Sequence, residues 1–187
     1  MLDRRKSELR ALIIYWSKTG NTEKVAEAIS RGMRKESVDL TIYKAGEAEQ
    51  EDFFDYDLVC IGSPSYEFLP APPVINLLKQ KLALYRGKGY IKPSSPKVLG
   101  RNAIIFCTYS GPHTGKDEAT TAGKYMRQFL EHLGFNIKAE WYVIGEFHGS
   151  EELSTKGRLG DIRGRPNQED LAKVESDTVE VVRSLMN

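Results

Sequence analysis

The sequence lacks the features of several special classes of protein. Its 187 residues contain only two cysteines, Cys60 and Cys107, far apart and outside any CxxC pair or Cys/His cluster. Neither a disulfide scaffold nor a metal site is therefore expected. Each cysteine ends an apolar run, so we predict that both are packed in buried strands. No apolar run approaches the ~20 residues that a membrane-spanning helix needs.

A strong charge of one sign is missing as well. The chain has 27 Lys and Arg against 26 Asp and Glu, a net charge of +1. No whole-molecule field would therefore draw it to nucleic acid or to a charged membrane. The opening MLDRRKSELR carries too many charges for the apolar region of a secretory signal. We expect a cytoplasmic protein with neither nucleic acid nor a membrane as partner, folded as a single domain over residues 1–187.

What the sequence does contain is an alternation of short apolar runs with helical patterns. Five runs predict strands, near residues 11–16, 38–43, 57–62, 102–108 and 135–144, and amphipathic segments predict the helices between and after them. Such alternation is typical of a parallel sheet covered on both faces. The predicted fold class is α/β, a three-layer doubly wound sheet of five parallel strands.

Two segments interrupt this pattern. Residues 81–101 contain glycines, prolines and six basic residues without an acid, namely Lys81, Arg86, Lys88, Lys92, Lys97 and Arg101. We interpret them as a basic, loop-rich insertion. Residues 145–165 are rich in glycine and mixed in charge, which predicts a long loop before the last helix.

The turn after the first strand carries the clearest functional pattern. Ser17-Lys18-Thr19-Gly20-Asn21-Thr22 offers hydroxyls, an amide and backbone N–H groups between a buried strand and a helix. In an open α/β sheet ligands bind at the carboxyl ends of the strands, and a helix N-terminus favours an anion. We predict a phosphate site here; the alternative is that Asn21 or Thr22 only caps the helix.

The same run resembles the signature of the flavodoxin family. The specified positions are filled by aliphatic, aromatic, hydroxyl and small residues in the family's spacing: Ile13, Ile14, Tyr15, Ser17, Gly20, Thr22, Ala26 and Ile29. The resemblance implies a flavodoxin-like fold with strand order 2-1-3-4-5 and a bound FMN. The motifs of P-loop and dinucleotide-binding proteins are absent, and Gly62-Ser63 stands where a phospho-receiver would need an aspartate.

Two further loops are similar to those that flank the flavin ring in this family. After the third strand come Ser63, Pro64, Ser65 and Tyr66, and after the fourth come Thr108, Tyr109, Ser110, Gly111 and His113. The resemblance implies that Tyr66 and Tyr109 stack on the ring. His113 is a candidate proton donor to the flavin or acceptor, or else a solvated loop histidine. Trp16 either abuts the ring or packs under the first loop.

The function implied by the resemblance is electron transfer through FMN, in exchange with a redox partner protein. The first alternative is an FMN-dependent enzyme that uses NAD(P)H to reduce a quinone or another small acceptor. The second is a cofactor-free binding module. The basic insertion, with Lys156, Arg158, Arg163 and Arg165, would meet a nucleotide phosphate, an acidic partner or only solvent. No catalytic residue besides His113 is suggested, so the choice between carrier and enzyme stays open, as does the oligomeric state.

Overall fold

The protein was analysed as a computed structural model that describes residues 9–187. The charged segment 1–8, in which the sequence predicts no signal peptide, lies outside the described residues. The strands are β1 Arg10–Tyr15, β2 Asp39–Lys44, β3 Leu58–Tyr66, β4 Leu69–Pro70, β5 Asn102–Tyr109 and β6 Asn136–Ile144. The helices are α1 Asn21–Lys35, α2 Pro72–Gly87, α3 Asp117–His132, α4 Glu151–Thr155 and α5 Gln168–Met186. Two short 3-10 turns, Ala45–Glu47 and Phe53–Asp55, connect β2 to β3.

The main sheet has the order β2-β1-β3-β5-β6, and all its neighbouring strands are parallel. The predicted order 2-1-3-4-5 is confirmed when the two-residue β4 is set aside. That strand pairs antiparallel with the end of β3 and was not predicted. Because the main strands are parallel, all of them end at the same edge of the sheet.

Both faces of the sheet are covered, as the continuous apolar runs predict. Leu12 and Ile14 of β1 face one core, which includes side chains of α2 and α3, whereas Ile13 faces the other, which includes side chains of α1 and α5. Cys107 lies in the first core and Cys60 in the second, and both are buried free thiols. The prediction of buried cysteines in strands is therefore confirmed.

The predicted bounds of the basic insertion are wrong at their start. Residues 81–87 belong to α2, and Lys81 and Tyr85 lie on the buried face of that helix. The Lys81 ammonium is within hydrogen-bond distance of the backbone carbonyls of Glu49 and Glu51. Lys81 can therefore be buried although it is basic, because two backbone carbonyls accept hydrogen bonds from its ammonium group. The loop proper comprises residues 88–101, which we call the insertion.

The insertion and the loop of residues 145–165 lie at opposite ends of the sheet. The insertion leads into the start of β5, whereas residues 145–165 follow the end of β6. The eight residues of β5 span roughly 25 Å at about 3.3 Å per residue. Residues 145–165 are not entirely loop, since they contain α4, which is capped by the Ser150 hydroxyl. The last helix begins directly after Asn167, its N-cap, which forms a capping box with Asp170.

Candidate functional site

A cavity of about 920 Å³ opens at the carboxyl ends of β1, β3 and β5. Thirteen of the fifteen residues predicted for the cofactor site line it: Ser17, Lys18, Thr19, Asn21, Thr22, Pro64, Ser65, Tyr66, Thr108, Tyr109, Ser110, Gly111 and His113. The other two, Gly20 and Ser63, lie just behind the wall and shape its backbone. Three segments that are far apart in sequence are therefore brought to one place by the parallel sheet.

The turn of residues 17–22 presents backbone donors to this cavity. Gly20 is the N-cap of α1 at φ 94°, a left-handed conformation that glycine adopts without strain. The Ser17 hydroxyl accepts a hydrogen bond from the Gly20 N–H at 3.1 Å, so its own hydrogen remains available to donate. The first N–H groups of an α-helix have no acceptor within the helix and, with the helix dipole, favour an anion. Together with Thr19, which is exposed, the turn can hold a phosphate.

The alternative that Asn21 or Thr22 caps the helix is wrong, because the N-cap is Gly20, which has no side chain to make a capping hydrogen bond. The Asn21 amide instead donates to the Glu146 carbonyl at 3.0 Å, and its oxygen lies 3.4 Å from Nε2 of His148. The Thr22 hydroxyl lies 2.7 Å from the Thr108 hydroxyl in a buried pair. Both side chains thus join the first turn to loops at other strand ends.

Gly145 is required for the contact between Asn21 and the loop after β6. A Cβ atom at Gly145 would lie 2.6 Å from the Asn21 amide nitrogen. The Gly145 N–H donates to the Tyr109 carbonyl at 2.8 Å, and its carbonyl accepts from the Ser110 hydroxyl at 2.8 Å. The loops after β1, β5 and β6 are therefore connected by hydrogen bonds around the cavity.

The predicted loop at residues 62–66 is the end of β3, which forms a hairpin with β4. The Ser63 side chain is buried: its hydroxyl accepts from the Ala71 N–H and donates to the Pro64 carbonyl, both at 2.8 Å. It therefore fixes the start of α2 instead of facing the cavity. Glu67 and Phe68 form the two-residue turn at φ 48° and 70°. Such turns normally use Asn or Gly, so this turn is strained.

Two tyrosines face the cavity from different loops. Tyr66 lies on the hairpin, with Trp16 packed edge-on against its ring at a centroid distance of 5.6 Å. Trp16 therefore packs against the hairpin, a contact that neither predicted position named, and its contact with the ring stays a prediction. Tyr109 lies at the end of β5. Burial raises the pKa of both phenols, and for Tyr109 it outweighs the opposing effect of Arg165. Both rings therefore stay neutral at physiological pH.

The loop after β5 is held by a carboxylate of the following helix. Oε1 of Glu118 accepts hydrogen bonds from the N–H groups of His113 and Thr114, at 2.7 and 2.6 Å. The His113 side chain is exposed at the cavity rim. This position allows contact with a ligand and with solvent alike.

Several residues of the cavity wall were not predicted. They include the hairpin tip, Phe68 and Leu69, and the residues after β6, Phe147 and His148. The second pair could have been found, because β6 ends at the same edge as the other strands. The hairpin carries no Gly or Asn at its turn, so the sequence held no signal for it.

The basic residues singled out by the sequence do not form one surface. The insertion is at the far end of the sheet, so it cannot contact a ligand in this cavity. Arg163 and Arg165 form ion pairs with Asp161 and Asp170. Arg158 does not line the cavity, but its backbone N–H donates to the carbonyl of Pro112, which does, at 2.8 Å.

Among residues 9–187, no group of three or more His, Cys, Asp and Glu side chains is arranged to hold a metal ion. No helix within this range is long and apolar enough to cross a membrane.

Comparisons with known proteins agree with this geometry. The family model of the flavodoxin domain matches residues 12–151. A flavodoxin of Clostridium beijerinckii is 25% identical over 121 residues, which cover 65% of this chain and 73% of that protein. An NAD(P)H dehydrogenase (quinone) of Archaeoglobus fulgidus is 22% identical over 169 residues, 75% of this chain and 84% of the relative. The solved structure of an archaeal flavodoxin has a TM-score of 0.63 at 14% identity and covers 96% of this chain and 100% of its own.

Proposed function

The chain belongs to the flavodoxin family, and from that premise we propose that it carries electrons between redox partner proteins, with FMN held by the three loops at the cavity. FMN is the cofactor of this family, and the chain is a flavodoxin-like redox protein. The carrier role, the individual binding residues and the cytoplasmic location are the parts we propose.

One observation supports the binding site above all others. The cavity extends from the anion-binding turn of residues 17–22 to the two neutral aromatic rings of Tyr66 and Tyr109. A ligand with a phosphate at one end and a flat ring at the other matches this arrangement of donors and aromatic walls. The residues present therefore fit FMN: Ser17, Thr19 and the first N–H groups of α1 would hold its phosphate.

The chemistry supplied by bound FMN is the uptake and release of electrons at its ring. The protein's residues bind and orient it. Tyr66 and Tyr109 bring no negative charge to the ring faces, because their raised pKa values keep them protonated. The hairpin tip leaves 57% of Phe68 and 43% of Leu69 exposed at the mouth of the cavity. These exposed apolar side chains offer a partner a contact surface near the ring edge, beside the exposed charges of Lys18 and Glu67.

A matched pair of variants tests the phosphate site. Thr19→Val removes an exposed hydroxyl at the turn, whereas Thr121→Val removes one on the outer face of α3. A hydrogen bond to a charged group contributes about 1.5–3 kcal/mol, so Thr19→Val should weaken FMN binding roughly 10- to 100-fold. Riboflavin, which has no phosphate, should bind both variants as it binds the unmodified protein. Fluorescence titration measures this, and unchanged FMN binding by Thr19→Val would refute the assignment.

A second candidate function is reduction of a small acceptor by NAD(P)H. It is favoured by the part of the cavity wall not assigned to FMN, formed by Phe147, His148 and Leu153, and by the exposed Arg158, whose backbone bonds to Pro112 in the same wall. The two functions differ in their electron donor. A carrier is reduced quickly by a protein reductase and oxidises NAD(P)H slowly with a quinone. Steady-state oxidation of NADPH with a quinone at rates typical of enzymes, on the order of 10 per second, would favour the enzyme.

A further inference from the structure

The insertion takes no part in the site above, yet it forms a second concave surface at the other end of the sheet. A cleft of about 320 Å³ lies between the insertion, the end of α3 and the turn before β3. Its walls include Phe54, Tyr90, Val98, Lys92, Lys97 and His132. No carboxylate is among its lining residues, all of which belong to the described part of the chain.

Only some of the basic residues near this cleft form ion pairs with carboxylates of the chain. Lys88 and Arg101 are neutralised outside it by Asp52 and Asp57. Lys97 donates to the Phe135 carbonyl and forms no ion pair with a carboxylate of residues 9–187. Lys92 is exposed and has no carboxylate within 4 Å among residues 9–187.

His132 adds a further donor to the cleft. The Gln128 amide nitrogen lies 3.2 Å from its Nδ1, and an amide nitrogen can only donate. With the amide donating to Nδ1, the ring N–H that can serve a ligand is the one on Nε2. The cleft presents donors and cations together, which are the groups that recognise carboxylates.

The cleft is held in shape by contacts of the insertion with the rest of the fold. The Tyr90 ring packs against Phe54 at 4.7 Å and is stacked on Tyr85 at 5.9 Å. The Val98 N–H donates to the Gly134 carbonyl at 2.9 Å. A Cβ atom at Gly134 would collide with the Pro96 carbonyl, so this close approach requires glycine. A preformed cleft binds with a smaller loss of conformational entropy.

The rim exposes apolar side chains as well as cations. Tyr90 and Val98 are 41% and 39% exposed, and Leu99 is fully exposed. We propose that this insertion surface, formed by Tyr90, Lys92, Lys97, Val98, Leu99 and His132, docks an acidic segment of a partner protein. An apolar side chain of that segment packs on Tyr90 and Val98, and its carboxylates pair with Lys92 and Lys97.

The position of this surface gives the interaction a use that goes beyond electron transfer itself. The insertion surface and the cavity lie at opposite ends of the sheet, separated by roughly the 25 Å length of β5. A partner bound at the insertion leaves the mouth of the cavity free. The protein can therefore be held in an assembly while it exchanges electrons at the other end.

The test uses the full chain with its flavin and three capped hexapeptide probes. They are Glu-Glu-Phe-Phe-Glu-Glu, the same peptide with alanine for phenylalanine, and the same peptide with lysine for glutamate. We expect the first to bind with a Kd on the order of 1 mM or lower, as measured by NMR titration. Its shifts should centre on the insertion surface, and binding should weaken as salt is raised. The two control peptides should bind at least about tenfold more weakly.

Two exposed substitutions make the test specific without affecting packing. Lys92→Glu should weaken binding of the acidic peptide about tenfold, and Leu99→Ser should weaken it several-fold. Lys124→Glu, the same charge change on the exposed face of α3, should leave it unchanged. Equal binding by Lys92→Glu, or no binding at all, would overturn the proposal.

A different class of partner would overturn it too. Tighter binding of a single-stranded oligonucleotide or of phosphatidylserine vesicles than of the peptide would show that the surface serves nucleic acid or lipid. These titrations report on the insertion surface and not on the cavity, and they can be repeated with the flavin-free chain, so failure here and failure of the proposed function are separate results.

Discussion

The buried pair Thr22 and Thr108 allows a quantitative test of how the cavity is held together. The two hydroxyls are 2.7 Å apart, and their residues are only 1% and 2% exposed. Thr22→Val or Thr108→Val alone removes one hydroxyl and leaves the other buried without that partner. An orphaned buried group of this kind costs about 1–3 kcal/mol.

The double variant should behave differently from the sum of the single ones. With valine at both positions no hydroxyl remains to be satisfied, and valine has nearly the shape of threonine. We therefore expect the free energy of unfolding of the double variant to fall by at most about 1 kcal/mol. The coupling free energy between the two positions is then about 1 kcal/mol or more. In urea, each single variant should lower the unfolding midpoint by about 0.5–1.5 M, since the slope is near 2 kcal/mol per M.

Urea unfolding of the FMN-free protein, followed by circular dichroism, measures these free energies. Thr178→Val is the matched control, because the Thr178 hydroxyl is also buried but donates to the Val174 carbonyl within α5. In Thr178→Val that carbonyl keeps its hydrogen bond within the helix. The free energy of unfolding of this control should therefore fall by less than about 1 kcal/mol. If the losses of the two single variants simply add in the double variant, the inferred pairing is incorrect.

Three further predictions concern other parts of the molecule. Burial and a hydrogen bond to a glutamate raise the pKa of Tyr56 from 10.0 to about 12. Its contribution to stability should therefore be intact below pH 10.0 and lost as pH rises to about 12, and thermal unfolding should show a smaller alkaline loss for Tyr56→Phe. Glu67→Asn combined with Phe68→Gly should raise the free energy of unfolding by about 1–2 kcal/mol, because it relieves two left-handed residues; unchanged urea midpoints would contradict this. Gly145→Ala places a methyl group 2.6 Å from the Asn21 amide nitrogen. It should weaken FMN binding about tenfold in a fluorescence titration, and an unaltered Kd would mean that this contact does not support the site.

Much of the architecture follows from local features of the sequence. The apolar run of β1 predicts a strand buried on both faces, and the structure places Ile13 and Ile14 in opposite cores. The capping box at Asn167 and the end of α3 just before Gly134 also depend on a few neighbouring residues. The first turn was found for the same reason, since Ser17 and Gly20 act within a short stretch of backbone.

The features that the sequence missed depend on residues far apart in the chain. Ser63 belongs to a strand because it pairs with Cys107 of β5, and its hydroxyl accepts from the N–H of Ala71 at the start of α2. Lys81 is buried because two carbonyls some thirty residues away accept from it. The partners of Ser63 and Lys81 cannot be predicted from the residues next to them in the sequence.

The sequence by itself thus determined the alternating elements and the turn that favours a phosphate, whereas the order of the strands was implied by the resemblance to the flavodoxin family. It could do so because hydrophobic periodicity, capping and turn chemistry act over a few residues. Only the tertiary structure decided that Asn21 and Thr22 join loops instead of capping a helix. It also decided that the insertion lies at the end of the sheet away from the cavity, since parallel strands carry their two ends to opposite edges.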